Sequence, residues 1–260
     1  MTTRRFPEVI VTNQLPNHVR ELRKSIRKCS RWIPNPHLYL TGKSLEPIFA
    51  ASIGGHATGD NSFVDVVQGN TGWQLKSNMN RDNFLVLRRA KVDDKFIKIV
   101  SSKDSATARQ DLGNELLKLN NENIEAGMEK HNVDRMGLCH INFLTDNQVE
   151  VTEAFFAETR APFNPDSFYW EWSNDFYGQE PNKGLPSLLG IRRGTDKPWF
   201  SWSGQNENHF NILAKKEWLA DRCDTINRYG FTTIPRRDYM TLDLFEDSQE
   251  VQHKELVIGG

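Results

Sequence analysis

The run Asn61-Ser62-Phe63-Val64-Asp65-Val66-Val67, the turn-rich Gln68-Gly69-Asn70-Thr71-Gly72 and the run Trp73-Gln74-Leu75-Lys76-Ser77 decide the reading of the fold. Two strand-like stretches around a glycine- and asparagine-bearing turn form the pattern of a β-hairpin. Side chains alternate faces along a strand, so Gln74 and Lys76 share one face while Trp73 and Leu75 take the other, where they can be buried. Asp65, one strand over, meets the Gln74/Lys76 face if the register allows. The hairpin then gathers a carboxylate, an amide oxygen and an ammonium in one place.

A hard cation such as Mg²⁺ takes oxygen ligands and keeps several waters. Asp65 offers a carboxylate oxygen, Gln74 its side-chain oxygen and Leu75 its carbonyl. Lys76 is suited to orienting a water or neutralising charge that develops on a phosphate. The pattern Asp65…Gln74-x-Lys76 resembles the PD-(D/E)xK nuclease superfamily and, within it, the type II restriction endonucleases. Val64 stands where the family name has proline, and Gln74 where it has an acid. A neutral ligand lowers the negative charge of the site, so the resemblance implies a further carboxylate. Glu46, in a predicted helix just upstream, is the first candidate and Asp60 the alternative. The same acid-or-Gln, any residue, Lys pattern recurs at Asp93-Asp94-Lys95 and Gln252-His253-Lys254. Those lie in a polar turn-like stretch and in the charged tail, without the apolar alternation around Gln74.

The order of elements extends the resemblance over roughly residues 44–144. Ser44-Leu45-Glu46-Pro47 opens a predicted helix to about Ile53, with Ser44 as N-cap and Gly54-Gly55 as stop. The hairpin strands follow, then strand-like Phe84–Leu87 and Phe96–Val100. A long helix is predicted from about Asp104 to Lys130, burying Leu112, Leu116, Leu119, Ile124 and Met128. Gly137–Leu144 reads as a strand, and Thr145–Gln148 turns into Val149–Thr152. This implies an α/β fold with an αβββαβ core of the restriction-endonuclease kind, a mixed central sheet flanked by helices, and N- and C-terminal elaborations.

Two hundred and sixty residues can form one large domain. The expected divisions are a basic helical region (1–43), a catalytic core (44–153) and a recognition and dimerisation elaboration (154–260). A mean hydropathy of −0.63 marks a polar globular chain. No stretch approaches the roughly 20 apolar residues of a membrane span, and Met1–Phe6 has no apolar signal core. Cys29, Cys139 and Cys223 are odd in number and far apart, which points to a reducing compartment and excludes a paired zinc motif. There is no phosphate loop of the Gly-x-x-x-x-Gly-Lys-Ser/Thr type and no Gly-x-Ser-x-Gly elbow.

The net charge of −1 hides an asymmetry: residues 1–43 carry +7 and the rest −8. A phosphate backbone responds to that local charge. Within His18–Trp32, Val19, Leu22, Ile26 and Cys29 recur at helical spacing. Arg20, Arg23, Lys24, Arg27, Lys28 and Arg31 fall mainly on the other side. Such a helix presents cations to phosphates; a solvated basic face or a membrane-surface helix fits the same pattern.

Further along, Phe163–Trp172 is an aromatic, loop-like stretch expected to be core more than base-stacking surface. Leu188–Gly194 and Trp199–Trp202 read as strands. Arg192, Arg193, Gln205, Asn206 and Asn208 are the expected base readers, with Ser77 and Asn78 as further expected DNA contacts and Arg236 on the phosphates. Glu217–Arg228 reads as an amphipathic helix with Trp218, Leu219, Cys223 and Ile226 inward. Taken together, the resemblance implies a Mg²⁺-dependent, sequence-specific endonuclease of double-stranded DNA. It would be a cytoplasmic bacterial or phage homodimer that leaves 5′-phosphates and needs no nucleotide cofactor. The alternatives are a structure-reading repair or phage nuclease on the same core, and a non-catalytic nucleic-acid-binding protein.

Overall fold

The computed structural model describes residues 7–11, 14–30, 40, 42–60, 62–79, 84–89, 105–144, 148–157, 160–177, 187–195, 197–203, 209–214 and 216–233. Its first sheet has seven strands. In chain order these are β1 (Ile10–Val11), β2 (His56–Ala57), β3 (Val66–Gln68), β4 (Thr71–Met79), β6 (Arg135–Phe143), β7 (Gln148–Phe156) and β12 (Cys223–Thr232). They lie side by side in the order β1-β12-β7-β6-β4-β3-β2. A second, five-stranded sheet runs β5 (Phe84–Arg89), β11 (His209–Ala214), β10 (Lys197–Ser203), β9 (Leu188–Arg192) and β8 (Phe168–Trp172). The helices are α1 (Asn17–Ser30), α2 (Gly42–Ile53), α3 (Ala106–His131), α4 (Ser173–Tyr177) and α5 (Lys216–Arg222).

The first sheet is mixed. β3 and β4 form an antiparallel hairpin, β4 and β6 run parallel, and β6 and β7 run antiparallel. Parallel β4 and β6 need a crossover, and α3 supplies it. Strand alternation divides the interior in two. Trp73, Leu75, Cys139, Ile141, Phe143, Val149 and Val151 join Val19, Leu22 and Ile26 of α1 and Leu45 and Phe49 of α2 on one face. Met136, Leu138, Ala154 and Phe156 join the buried stripe of α3 and the aromatic residues of the second sheet on the other. Both faces are covered, and β6 accordingly reads as a near-continuous buried run.

Helix α3 starts where Ser105 accepts a hydrogen bond from the Ala108 amide, 3.1 Å, and stops at Asn132 in the left-handed conformation, φ 51°. Its Gly113 lies flat against Trp170: a Cβ there would fall 2.0 Å from the ring. The helix begins and ends within two residues of the sequence expectation. Leu117 and Asn120 are buried where Leu119 was expected, and Leu119 is half-exposed.

Four other expectations are corrected. Helix α2 begins at Gly42, so Ser44 lies inside its first turn and is not the cap. The strand predicted over 61–67 is confined to Val66–Gln68. Asp60 accepts from the Ser62 amide at 2.7 Å and the Ser62 hydroxyl donates to the Val64 carbonyl at 3.0 Å, and such local bonds compete with a ladder. The helix predicted over Glu217–Arg228 ends at Arg222, and β12 follows. Nine of its residues pair with β7, and that tertiary pairing outweighs the helical spacing of Trp218, Leu219, Cys223 and Ile226. The aromatic stretch is not all loop, since Phe168–Trp172 is β8 with Phe168, Trp170 and Trp172 buried. Its core role is as expected.

The divisions read from sequence do not separate the sheets. β5 of the expected core pairs with β11, and β12 of the expected elaboration pairs with β7. The second predicted strand, 96–100, and the turn 145–147 lie outside the described residues. Among the described residues no helix is long and apolar enough to cross a membrane. The three cysteines form no disulfide, and Cys139 and Cys223 are buried.

Candidate metal centre and its surroundings

The hairpin opens at Asp65. Val66 is the register partner of Trp73, yet the Asp65 amide also donates to the Trp73 carbonyl, at 2.8 Å. Two residues of one strand thus answer to one of the other, as in a β-bulge, a device that re-aims a side chain. Thr58 steadies the turn from below. Its amide donates to the Asp65 carbonyl at 3.0 Å and its hydroxyl to the Val64 carbonyl at 2.8 Å. The Asp65 carboxylate then crosses to β4 and accepts from the Leu75 amide, 2.7 Å at Oδ2. A residue's N–H and C=O point to the same edge of a strand. The Leu75 carbonyl is therefore turned toward the Asp65 side as well.

Gln74 and Lys76 fall on one face of β4 and Trp73 and Leu75 on the other, as the alternation predicts. In register, Gln74 pairs with Leu138 and Lys76 with His140, whereas Leu75 pairs with Cys139. Gln74 is 5% exposed, and Lys76 is half-buried.

Glu46 stands one residue off the buried stripe of α2, beside Leu45 and Phe49. Partial burial raises its pKa above the ordinary 4.5, and the Asp65 charge raises it further. Lys76 and then Lys43 pull it back. The carboxyl group of Glu46 thus lies within electrostatic range of both Asp65 and Lys76. Asp60 has other neighbours. Its carboxylate is held by Lys130 at 2.7 Å and His131 at 3.1 Å, at the end of α3, and Lys130, with Ser62 after it, keeps its pKa well below the carboxylate range. Ser62, His131 and Asp60 have the residue types of a hydrolytic triad but not its geometry. Serine and aspartate both meet the same nitrogen, His131 Nε2, at 3.1 Å.

No protein-family model, curated protein or solved structure matches this chain.

What the centre can hold follows from its donors. Among the described residues no three His, Cys, Asp or Glu side chains converge. Two carboxylates, one amide oxygen and one backbone carbonyl suit a hard cation that keeps part of its water.

The expected DNA contacts are spread more widely. Arg20 and Lys24 are exposed on α1, Arg20 bonded to Asn17 and Lys24 paired with Glu21 at 3.0 Å. Arg27 donates to the Thr232 carbonyl at 3.1 Å and thereby ties α1 to the end of β12. Ser77 and Asn78 follow Lys76 on β4, partly buried. Arg192 is paired with Asp221 at 2.7 Å and stacked over Trp199 at 4.3 Å, which joins β9 to α5. This commits its guanidinium to the fold. Arg193 is exposed, 5.8 Å from the Tyr169 ring centre. Arg31, Gln205, Asn206, Asn208 and Arg236 lie outside the described residues, as do both rival Lys motifs.

Sequence reasoning missed a set of buried polar side chains: His140, Thr152, Asn120 and Glu153. The only signal was a polar residue inside an apolar strand, as in Leu138-Cys139-His140-Ile141-Asn142-Phe143. Glu153 bonds His18 of α1 at 2.9 Å.

Proposed function

We propose that this chain is a Mg²⁺-dependent endonuclease of double-stranded DNA, built on the restriction-endonuclease form of the αβββαβ core. Its most specific form is a type II restriction endonuclease acting as a cytoplasmic homodimer, with two-fold symmetry matched to a palindromic site. The observation that supports the reading is the Asp65 carboxylate bonded across to the Leu75 amide of β4, with Glu46 of α2 in electrostatic range of Asp65 and Lys76. The order α2, β2, β3, β4, α3, β6 supports it, with β3–β4 antiparallel, β4–β6 parallel and β5 an excursion to the second sheet.

Asp65, Glu46, the Gln74 amide and the Leu75 carbonyl would hold the cation. Bound Mg²⁺ supplies Lewis-acid polarisation of the scissile phosphate and a more acidic water. Lys76 neutralises the charge that builds on the phosphate, or orients the attacking water, and Ser77 and Asn78 bind the adjoining backbone. Removing one such stabilising group lowers the rate by about 10²–10³-fold. Gln74 in an acid's place also favours a second reading, a nucleic-acid-binding protein that does not cut. It predicts salt-sensitive binding without metal-dependent cleavage.

Incubation of the purified chain with phage lambda DNA, in Mg²⁺ or EDTA and beside Lys76→Ala, separates these readings. Discrete Mg²⁺-dependent fragments absent from the variant support the restriction enzyme. A smear supports a structure-reading nuclease. Binding with intact DNA in every lane supports the second reading.

A further inference from the structure

The Asp65 bulge is held from two sides. One is the end of β2. His56 pairs with Val67 and Ala57 with Val66, and the Thr58 amide continues the series by donating to the Asp65 carbonyl at 3.0 Å. Thr58 therefore stands opposite Asp65 in the same register. The chain then turns away at Gly59, whose φ of 67° lies in the left-handed region.

The other side is the end of α3. Phe63 and Val64 lie against Gly127, and Asp60 is paired with Lys130 and His131. Asp60 Oδ1 accepts from the Ser62 amide at 2.7 Å, and Ser62 Oγ lies 3.1 Å from His131 Nε2. An ionised carboxylate only accepts, so His131 carries a proton on Nε2. The Ser62 hydroxyl proton is then left for the backbone.

Both sides meet at one carbonyl. The Val64 oxygen accepts from Thr58 Oγ1 at 2.8 Å and from Ser62 Oγ at 3.0 Å, which uses both of its lone pairs. The Val64 amide donates to Ser62 Oγ at 3.2 Å, and Thr58 Oγ1 also lies 3.3 Å from the Asp65 carbonyl. Val64 is fully buried, and β3 begins only at Val66. Buried backbone groups need partners, and the two hydroxyls supply them before the strand begins. A rotation of the Val64–Asp65 peptide would carry the Asp65 carboxylate away from the Leu75 amide it bonds at 2.7 Å.

Resting on the metal centre of the nuclease reading, we propose that Thr58 and Ser62 are positioning residues: their hydroxyls clasp the Val64–Asp65 peptide and so aim the Asp65 carboxylate at the cation. The aim of a ligand must be held within about 0.5 Å. Groups that orient a metal ligand from behind change metal affinity by about 10–100-fold when removed. Asp60 acts in this scheme through Ser62, which it ties to the end of α3, and not as a ligand.

The test titrates Mg²⁺ alone into the full chain by calorimetry and follows single-turnover DNA cleavage over a Mg²⁺ series. It compares wild type, Thr58→Val, Thr58→Ser and Ser62→Ala, with Gly113→Ala as a control destabilised at the contact of α3 with β8. Positioning predicts that Thr58→Val and Ser62→Ala each bind Mg²⁺ about tenfold more weakly and that raised Mg²⁺ restores most of their cleavage. Thr58→Ser, which keeps the hydroxyl, should bind as wild type does, and so should Gly113→Ala. If Thr58→Val does not fold, Ser62→Ala carries the expectation from the other side of the carbonyl. Wild-type Mg²⁺ affinity in either hydroxyl-deleted variant overturns the proposal, as does a Thr58→Ser that binds no better than Thr58→Val. Equal weakening in Gly113→Ala also overturns it, because affinity would then merely follow stability. A wild type that binds Mg²⁺ but leaves DNA intact defeats the nuclease reading alone, since the isotherms still decide the clasp. A wild type that binds no Mg²⁺ overturns both.

Discussion

Glu46 shows how one residue's environment sets its contribution to stability. Its carboxyl holds a proton to higher pH than an ordinary glutamate because it is partly buried and faces Asp65. In the folded chain ionisation is therefore harder than in the unfolded one. The stability linked to this group is present below the ordinary carboxylate range and lost as pH rises through the raised value. At neutral pH, without metal, Glu46 works against the fold. Glu46→Gln is expected to raise the melting temperature in EDTA by about 1–2 °C for a chain of this size, the group being only partly buried and so screened by solvent. Added Mg²⁺ should raise the melting temperature of the wild type and not of the variant. A variant less stable than wild type in EDTA would show that Glu46 serves the fold rather than the centre. Asp65→Asn should likewise abolish the Mg²⁺ shift. The Leu75 amide then bonds a neutral oxygen, so calorimetry should show no Mg²⁺ binding, while an unchanged isotherm would displace the site from this hairpin.

At the scale of elements, what could be read from the chain depended on whether local pattern and tertiary pairing agreed. In α1 and α3 they agree. Val19, Leu22 and Ile26, and Leu112, Leu116, Ile124 and Met128, are buried at the expected spacing. In β12 they disagree: residues 217–228 carry a helical pattern, but the strands on either side claim the stretch from Cys223. The candidate centre could be drawn from sequence because Asp65, Gln74 and Lys76 lie close in the chain and Glu46 only one helix away. The buried His140, Thr152 and Asn120 were not legible, because nothing in a single sequence shows which strand register and which helix face carry polar side chains inside. Packing between elements gives a direct prediction. The Trp170 ring occupies the place of a Cβ at Gly113, so Gly113→Ala should cost stability although alanine favours helices. Overpacking of this kind costs about 1–3 kcal/mol, and urea denaturation would measure it. A variant as stable as wild type would mean that α3 and β8 can part without loss. A second contact between elements is set by pH. The Glu153 carboxylate holds the His18 proton above the usual 6.5, against the effect of burial. This contribution is fully present below 6.5 and lost as pH rises through the higher folded value. The melting temperature should therefore fall over that range in the wild type and stay flatter in His18→Gln.

At the scale of the molecule, the two sheets are one body because the chain interlocks them. β5 leaves the region of the centre to join the second sheet, β12 returns to the first, and the same apolar cluster serves both. The charge is arranged on that body unevenly. Helix α1 lies on the face of the first sheet that also carries α2, and so on the side from which Glu46 reaches the centre. It also carries a net +4 of the +7 of residues 1–43, while the remainder of the chain carries −8. A polyanion approaching the acidic remainder is repelled unless α1 meets it, so DNA binding should be steered by this helix. Each phosphate neutralised by a cation contributes about −0.9 to the slope of log affinity against log salt on duplex DNA. Arg20 and Lys24 are both exposed, and the Lys24–Glu21 pair on the surface is weak enough to yield to a phosphate. Arg20→Gln and Lys24→Gln should therefore each flatten the salt slope by about one and weaken binding to all sequences alike. Neither should alter which sequence is preferred, because phosphate contacts carry no base information. Fluorescence anisotropy with a labelled duplex between 50 and 200 mM salt, concentrations over which such contacts change affinity by orders of magnitude, measures the slope. Unchanged slopes in both variants would mean that α1 serves only to cover the sheet and that DNA meets another face.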